Sequence, residues 1–537
     1  MKRIQQAKLV AGLLLLAGFG AVALFAPPGH AQLPDRTVTP NAAGEGINKS
    51  YADQIGAGRG DAMTPGSSAF IIARDPFRSI RRGRQVFQRK FTRAQGVGPL
   101  MGDGLGNIEV DLAIGAGLAD SCAACHGRPR GSAGSGGDVV TRPDSRDAPH
   151  LFGLGLKEML ADEITADLRA IRADAINDAR ATCRDQVRDL VSKGINYGKI
   201  IADADSSCRI RVITSQVDGV NPDLRVRPFF LQGGTISMRE FLVGAFQAEM
   251  GLQPVDPDLA RAQAGNRVVT PSGMVLDGRI DTIEVAFEQD ATTDGDGDAV
   301  VNEIPTSIVD FMEFYLLNYF KPGTYRQTTS AATGRSLFQQ IGCAQCHIPD
   351  LQINRDRRVA DVETAFDIER GIFNDLFATA TPLFNEVRDS SSLPTLKRAA
   401  LHPFLVKNIF TDFKRHDLGP NFWERNFNGT FQKEFLTTPL WGVGTTAPYG
   451  HDGRSVNLRE VIKRHGGEAL TARNNFVNLT DANEDHVLNF LNSLILFPPD
   501  DTASNLDPGD PSAPNFPQLG KGSIRLTTLF NDPTDIE

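Results

Sequence analysis

The sequence predicts a mainly α-helical protein built from two related domains, with a helical insertion in the first. A short pattern occurs twice, as Gly83-Arg-Gln-Val-Phe87 and as Gly334-Arg-Ser-Leu-Phe338. A longer segment is also repeated, because residues 233–242 align without gaps to residues 453–462. Between the two copies of the short pattern lies a stretch rich in Ala, Asp and Arg, which is a composition that favours helices. The chain is therefore predicted to contain a duplicated helical unit.

The composition of the 537-residue chain is typical of globular proteins, with 41% hydrophobic and 23% charged residues. This length is sufficient for two or more domains. The formal net charge is −9. A nucleic-acid partner is disfavoured, because such partners are bound mainly through cationic side chains.

The N-terminus has the pattern of a secretory signal peptide. Lys2, Arg3 and Lys8 precede an apolar run over residues 9–25, and a small-residue site ends at Ala31. An uncleaved membrane anchor is the alternative, but the run is shorter than the roughly 20 apolar residues that a span needs. We therefore expect export to the periplasm and cleavage.

Four of the six cysteines form two Cys-x-x-Cys-His motifs, Cys122-Ala-Ala-Cys125-His126 and Cys343-Ala-Gln-Cys346-His347. Two thiols at this spacing reach the two vinyl groups of one porphyrin, and the next residue presents its imidazole to the iron. A thioredoxin-like redox pair or half of a zinc site are the alternatives, but neither needs the adjoining histidine. We therefore predict two covalently attached c-type haems, called haem 1 and haem 2 in chain order, in two domains of cytochrome c type.

The other two cysteines, Cys183 and Cys208, have no neighbouring histidine and lie in the stretch predicted to be helical. Unpaired thiols are a liability in an oxidising compartment, so we predict that these two form a structural disulfide. Closing this loop would be worth roughly 3–4 kcal/mol in the chain-entropy model. A metal or redox role is the alternative, which the flanking residues do not support.

The longer repeat predicts that the two haems differ in their outer ligands. In register, His465 of the second copy falls opposite Ala245 of the first. A histidine at this position can be the sixth ligand of an iron, whereas alanine cannot bind iron. The sequence thus predicts that His347 and His465 close haem 2, and that haem 1 is open where peroxide or dioxygen can bind.

Glu249 lies one helical turn beyond Ala245, on the same predicted helix face. Cleavage of peroxide needs a group that moves a proton from one oxygen to the other, which suits a carboxylic acid. Glu249 is therefore the candidate catalytic residue, and a solvated glutamate on an amphipathic helix is the alternative. Gln232, Gln247 and Arg239 are further candidates for polar contacts on this side of haem 1.

Four segments have distinctive sequences, namely Ala148–Leu156 (APHLFGLGL), Phe413–Pro420 (FKRHDLGP), Thr438–Arg454 (TPLWGVGTTAPYGHDGR) and Arg464–Ala469 (RHGGEA). They resemble the bacterial dihaem cytochrome c peroxidases, and most closely a longer dihaem oxidoreductase branch of that family. The resemblance implies that haem 1 is the peroxidatic haem, with Glu249 as its distal acid and His465 as the outer ligand of haem 2. It also implies a small c-type cytochrome or a copper protein as electron donor.

The chain departs from the pattern of these peroxidases in three places. They usually have methionine where His465 stands, and bis-histidine ligation gives a lower haem potential than His/Met ligation. They place a tryptophan between the haems, where this chain has the segment Phe229–Leu231. Their detachable distal histidine has no counterpart in register, since His150 is only nearby.

An acidic loop after Thr292 has the spacing of a calcium-binding EF-hand loop. With Thr292 as position 1, acids stand at positions 3, 5, 7 and 12, as Asp294, Asp296, Asp298 and Glu303. Position 1 is not an acid, so a solvated acidic turn is the alternative to a structural calcium site.

The predicted organisation has five parts: a signal peptide at 1–31, a flexible segment at 32–68, haem domains at 69–323 and 324–497, and a Pro/Asp-rich tail at 498–537. Three functions stay open. The first is a peroxidase that reduces hydrogen peroxide at haem 1 with electrons delivered through haem 2. The second is a dihaem oxygenase or oxidase acting on an organic or protein substrate, and the third is a dihaem electron carrier, which the open haem 1 disfavours.

Overall fold

The computed structural model describes residues 51–97, 119–126, 146–283, 290–318, 328–365, 377–426 and 428–494. The predicted signal peptide and C-terminal tail lie outside these residues. Within the described ranges, no helix combines the length and the apolar character that a membrane crossing requires.

The described residues form helices that are distributed from Tyr51 to Asn492. They are α1 (Tyr51–Ile55), α2 (Ser68–Arg74), α3 (Pro76–Gln88), α4 (Cys122–His126), α5 (Leu154–Thr182), α6 (Met238–Met250), α7 (Pro257–Gln263), α8 (Thr306–Asn318), α9 (Thr329–Gln340), α10 (Leu458–Arg464), α11 (Leu470–Val477) and α12 (Asp481–Asn492). Short 3-10 turns cover Arg93–Gln95, Cys343–Gln345, Val443–Thr445 and Gly467–Ala469.

The strands form one three-stranded antiparallel sheet, β1-β2-β3, and several two-stranded ones. They are β1 (Gln186–Ser192), β2 (Ile195–Ala204), β3 (Ile210–Ile213), β4 (Arg267–Val269), β5 (Val275–Asp277), β6 (Leu351–Ile353), β7 (Ala360–Ala365), β8 (Phe377–Pro382), β9 (Phe384–Val387), β10 (Leu396–Ala399), β11 (Phe404–Val406), β12 (Arg415–Asp417), β13 (Glu424–Arg425), β14 (Phe431–Gln432) and β15 (Glu434–Leu436). The pairs are β4-β5, β6-β11, β7-β8, β9-β10, β12-β15 and β13-β14.

The prediction of a mainly α-helical fold is wrong. The structure is 39% helix and 17% strand, in several small sheets, and it does not show the predicted arrangement of two cytochrome c-type domains. The predicted helical insertion stops being helical at Thr182, after which β1, β2 and β3 form a meander. In β2 the buried residues Ile195, Tyr197, Ile200 and Ala202 follow a mostly two-residue period and pack against α5. This alternation stabilises strands and not helices.

A disulfide joins Cys183 to Cys208, whose Cα atoms are 5.0 Å apart. Cys183 ends α5 in the left-handed region at φ 48°, and Cys208 precedes β3. The bond therefore ties the end of the long helix to the turn before the last strand of the meander.

Two close helix crossings are made at the glycines of the shorter repeat. A Cβ atom on Gly83 in α3 would lie 2.2 Å from the Cβ atom of Tyr315 in α8. A Cβ atom on Gly334 in α9 would lie 1.8 Å from the carbonyl oxygen of His486 in α12. No side chain fits at either position, so each glycine lets two helices approach closely. The phenylalanine four residues later is buried in both copies, as Phe87 and Phe338.

The longer repeat forms the same local structure twice. Helices α6 and α10 both begin with a capping side chain, Ser237 or Asn457, that accepts a hydrogen bond from the backbone N–H three residues on. Each helix follows an isolated antiparallel bridge, Phe229 with Thr235 and Tyr449 with Ser455. The copies diverge at their ends, because α6 continues to Met250 whereas α10 stops at Arg464.

Arg239 of α6 is fully buried among carboxylates. Its guanidinium lies 2.7 Å from Asp256, 3.0 Å from Asp310 and 2.9 Å from Glu313. Arg59, from the segment before α2, also binds Asp310, at 3.2 Å. Arg239 is thus part of the protein interior and does not make the predicted contact on the open side of haem 1.

Replacing Arg239 with alanine leaves buried carboxylates without their cation. Because uncompensated buried charges are costly, we expect Arg239→Ala to lower the free energy of unfolding by about 3–5 kcal/mol. Urea unfolding followed by circular dichroism measures this loss. Arg261→Ala, which removes an exposed arginine from α7, is the matched control. Equal losses in the two variants would contradict the role assigned to Arg239.

Glu313 makes the stability of the protein depend on pH. Burial raises the pKa of Glu313 from 4.5 to about 7, against the opposing effect of Arg239. The folded protein therefore holds this proton more tightly than the unfolded chain, and stability falls as pH rises through that interval. In the unmodified protein, the free energy of unfolding should fall by roughly 3 kcal/mol as pH rises through this interval, and Glu313→Gln should remove that fall. Unfolding free energies at both ends of the interval test this, and an unchanged pH profile in the variant would refute it.

Candidate functional site

Both Cys-x-x-Cys-His motifs line one cavity of about 910 Å³. The first motif is the short helix α4, and the second forms the turn that follows α9. The walls between them are largely apolar and include Phe229, Phe241, Leu242, Met312 and Trp441. A single apolar cavity thus receives all four thiols and both histidines of the motifs.

The three predicted iron ligands are held in the same way. Each ring donates its Nδ1–H to a backbone carbonyl: His126 to Pro149 at 2.7 Å, His347 to Phe410 at 3.1 Å and His465 to Val461 at 2.7 Å. With Nδ1 protonated, the lone pair is on Nε2, which is the usual arrangement of a metal-binding histidine. All three rings line the cavity.

Burial keeps these rings neutral. It lowers the pKa of His126 and of His465, and it lowers the pKa of His347 to about 4, with a further contribution from the nearby His465 ring. Burial also raises the pKa of the Cys122 and Cys343 thiols to about 12. Neutral imidazoles bind iron, so the apolar cavity, the paired thiols and the neutral rings all fit two haem groups.

The wall of the cavity beside the first motif contains Ala245 and Glu249, both from α6. Burial raises the pKa of Cys125, and the carboxylate of Glu249 raises it further, which places this carboxylate close to the first motif. The backbone of Glu249 is tied to the same region, because its carbonyl accepts a hydrogen bond from Ala119 at 3.2 Å. The structure therefore brings the candidate acid to the predicted haem 1 site.

His150 links the two halves of the cavity, although sequence reasoning considered it only as an iron ligand. It follows Pro149, the acceptor for His126, and its ring is hydrogen-bonded to the backbone of Trp441. Its Nδ1 accepts from the N–H of Phe152 at 3.3 Å. Burial lowers the pKa of His150 to about 3, so the ring is neutral.

Lys157 is a cavity residue that sequence reasoning missed. It lies 5.6 Å from the centre of the Phe229 ring, and burial lowers its pKa to about 8. A lysine on an amphipathic helix carries no sequence signal for this position, because its burial depends on the residues that surround α5.

The predicted calcium ligands separate into two places. The carboxylates of Asp294, Asp296 and Asp298 lie within 4.8 Å of one another. Glu303 instead turns into the protein, where it is 2% exposed and accepts a hydrogen bond from the Gln253 N–H at 2.7 Å. The loop therefore brings together three of the four predicted acids.

Comparison with known proteins identifies a family for the C-terminal part of the chain. Residues 371–494 match the model of the family described as "Di-haem oxidoreductase, putative peroxidase". This range contains His465 and three of the four distinctive sequence segments, so the predicted resemblance is confirmed there. No curated protein matches the chain.

Among solved structures, the chain is similar to hydrazine synthase of Kuenenia stuttgartiensis, in crystals pressurised with xenon. The sequence identity is 15% and the TM-score is 0.21. The match covers 35% of this chain and 55% of that chain, so it spans about half of the length of the hydrazine synthase chain.

Proposed function

We propose that this chain, a di-haem oxidoreductase by its family match, is an exported c-type enzyme that reduces hydrogen peroxide. Cys122 and Cys125 attach haem 1, with His126 as its ligand. Cys343 and Cys346 would attach haem 2, and His347 and His465 would hold its iron. Electrons come from a small c-type cytochrome or copper protein, and export through the predicted signal peptide places the enzyme in the periplasm.

The observation that carries this proposal is the difference between the two ends of one cavity. At one end, His347 and His465 both line the cavity, and each ring donates its Nδ1–H to a backbone carbonyl, which leaves Nε2 free to bind iron. At the other end, His126 faces the cavity with Ala245 and Glu249 from α6. This difference supports one iron site with two protein ligands and a second where a small substrate binds beside a carboxylate.

The chemistry assigned to the chain is proton transfer. When bound, the haem groups supply the redox-active irons. Glu249 takes a proton from one oxygen of hydrogen peroxide and returns it to the other, which leaves as water. The complete reaction consumes two electrons and two protons per peroxide and yields two molecules of water. The apolar walls keep bulk water from competing with this transfer.

Covalent attachment is tested by removing the thiols of one motif. We expect the double variant Cys343→Ser/Cys346→Ser to retain one covalent haem per chain instead of two, because a thioether bond needs the thiol. Intact-protein mass and haem absorbance per protein measure this number. The control is Cys183→Ser/Cys208→Ser, which removes the disulfide pair and should leave both haems. Two covalent haems in the first variant would refute the attachment sites.

Peroxide turnover tests the role of Glu249. The purified protein should show one high-spin and one low-spin haem, and it should consume peroxide in the presence of a reduced cytochrome. We expect Glu249→Gln to slow turnover by about 10²-fold or more with unchanged haem spectra, since the amide cannot move the proton. Glu434→Gln, at an exposed position of β15, should have no effect.

Two outcomes would overturn the peroxidase proposal. If both haems are low-spin and do not react with peroxide, the chain is an electron carrier. If peroxide is used poorly and dioxygen binds stably, the function is that of an oxygenase or oxidase and not of a peroxidase.

A further inference from the structure

The segment from Ile409 to Gly419 contacts His347 and the loop that carries His465, the two predicted ligands of haem 2. At its start, the carbonyl of Phe410 accepts the Nδ1–H of His347 at 3.1 Å. The next residue, Thr411, donates its N–H to the carbonyl of Ile348 at 3.0 Å. This end of the segment therefore fixes the orientation of the His347 ring.

The other end of the segment contacts the loop that carries His465. The carboxylate of Glu468 lies 2.7 Å from Nδ1 of His416 and accepts the N–H of Asp417 at 2.9 Å. The second ring nitrogen of His416 lies 3.0 Å from Asp412. A protonated His416 ring thus donates to one carboxylate on each side, and it connects the loop to the segment.

The backbones of the loop and the segment also approach closely. The N–H of Gly466 donates to the carbonyl of Leu418 at 2.9 Å. A Cβ atom on Gly467 would lie 2.0 Å from the carbonyl oxygen of Asp417, and the φ angle of Gly467 is +46°. Only glycine fits this position, so the sequence His465-Gly466-Gly467-Glu468 places the loop directly on β12.

His465 needs support of this kind because it lies just outside a short helix. Helix α10 has seven residues and ends at Arg464, so His465 is its C-cap. Its ring is hydrogen-bonded to Val461 and meets the Phe422 ring edge-on, with the centroids 5.2 Å apart. A residue at a frayed helix end is mobile unless other contacts order it. The contacts of Glu468, three residues later, supply that order.

We propose that Glu468 and His416 form a latch that positions His465 as the outer ligand of haem 2. Both are positioning residues, and the inference rests on the ligation by His465 in the proposed function. One segment of the chain would then orient both residues that hold haem 2, His347 through Phe410 and His465 through the latch. Partners that orient ligand residues typically change metal affinity by about 10- to 100-fold.

The test uses the haem-loaded full-length protein and competition for the iron. We expect Glu468→Ala to let carbon monoxide bind reduced haem 2 about 10- to 100-fold more tightly than in the unmodified protein, because His465 competes less well. The paramagnetic-resonance spectrum should gain a high-spin signal, and added imidazole should restore the low-spin one. Glu468→Gln should show a smaller effect than Glu468→Ala, because its amide oxygen still accepts the Asp417 N–H while its NH2 group cannot accept from the protonated His416 ring.

Two further variants sharpen this test. His416→Phe removes the other half of the latch and should reproduce the spectral change of Glu468→Ala. Glu460→Gln removes the same charge from the first turn of α10, keeps an oxygen that accepts the Val456 N–H, and should change neither readout. The side chain of Glu468 is 53% exposed, so its removal opens no cavity in the core.

The possible failures are distinguishable. If the unmodified protein has no bis-histidine signal, the ligation of haem 2 in the proposed function is wrong and the latch falls with it. If that signal is present and Glu468→Ala and His416→Phe both leave carbon monoxide binding unchanged, only the latch is refuted. An effect of Glu460→Gln equal to that of Glu468→Ala would also refute the latch.

Discussion

The close contact of two helix pairs at glycines is the constraint on which the cavity depends. Gly83 and Gly334 stand where any side chain would collide with the crossing helix. Beyond the second crossing, α9 leads within three residues into Cys343. Beyond the first, Phe91 follows α3 and donates its N–H to Asp120 at 2.8 Å, just before Cys122. The crossings therefore determine where each Cys-x-x-Cys-His motif enters the shared cavity.

The longer repeat shows how one local structure can support two different chemical sites. Both copies start with the same bridge and the same type of cap, so the difference does not arise at the beginning of the helices. It arises at their ends, because α6 continues past Ala245 and carries Glu249, whereas α10 stops and turns at His465. A continued helix presents a carboxylate to the cavity, and an interrupted one presents an imidazole.

Buried polar groups hold these sites in place, and each has its own partner. Arg239, in the first turn of α6, is buried among carboxylates, which fixes the start of the helix that carries Glu249. His150 follows Pro149, which accepts the hydrogen bond of His126, and its own ring is hydrogen-bonded to the backbone of Trp441. Since buried polar groups are stable only when they are hydrogen-bonded, these pairs also specify which segments meet.

The sequence by itself determined the features that consecutive residues encode: the two Cys-x-x-Cys-His motifs, the repeats with their helix caps, and the contrast between Ala245 and His465. The prediction of helix after Thr182 was wrong. The Ala- and Arg-rich composition there favoured helix, but the alternating residues of β2 pack on α5. Only the tertiary structure decided that both motifs share one cavity, that Arg239 is buried, and that Glu468 meets His416. These contacts join residues far apart in the chain. A local sequence pattern does not specify which distant apolar surfaces pack against each other and exclude water.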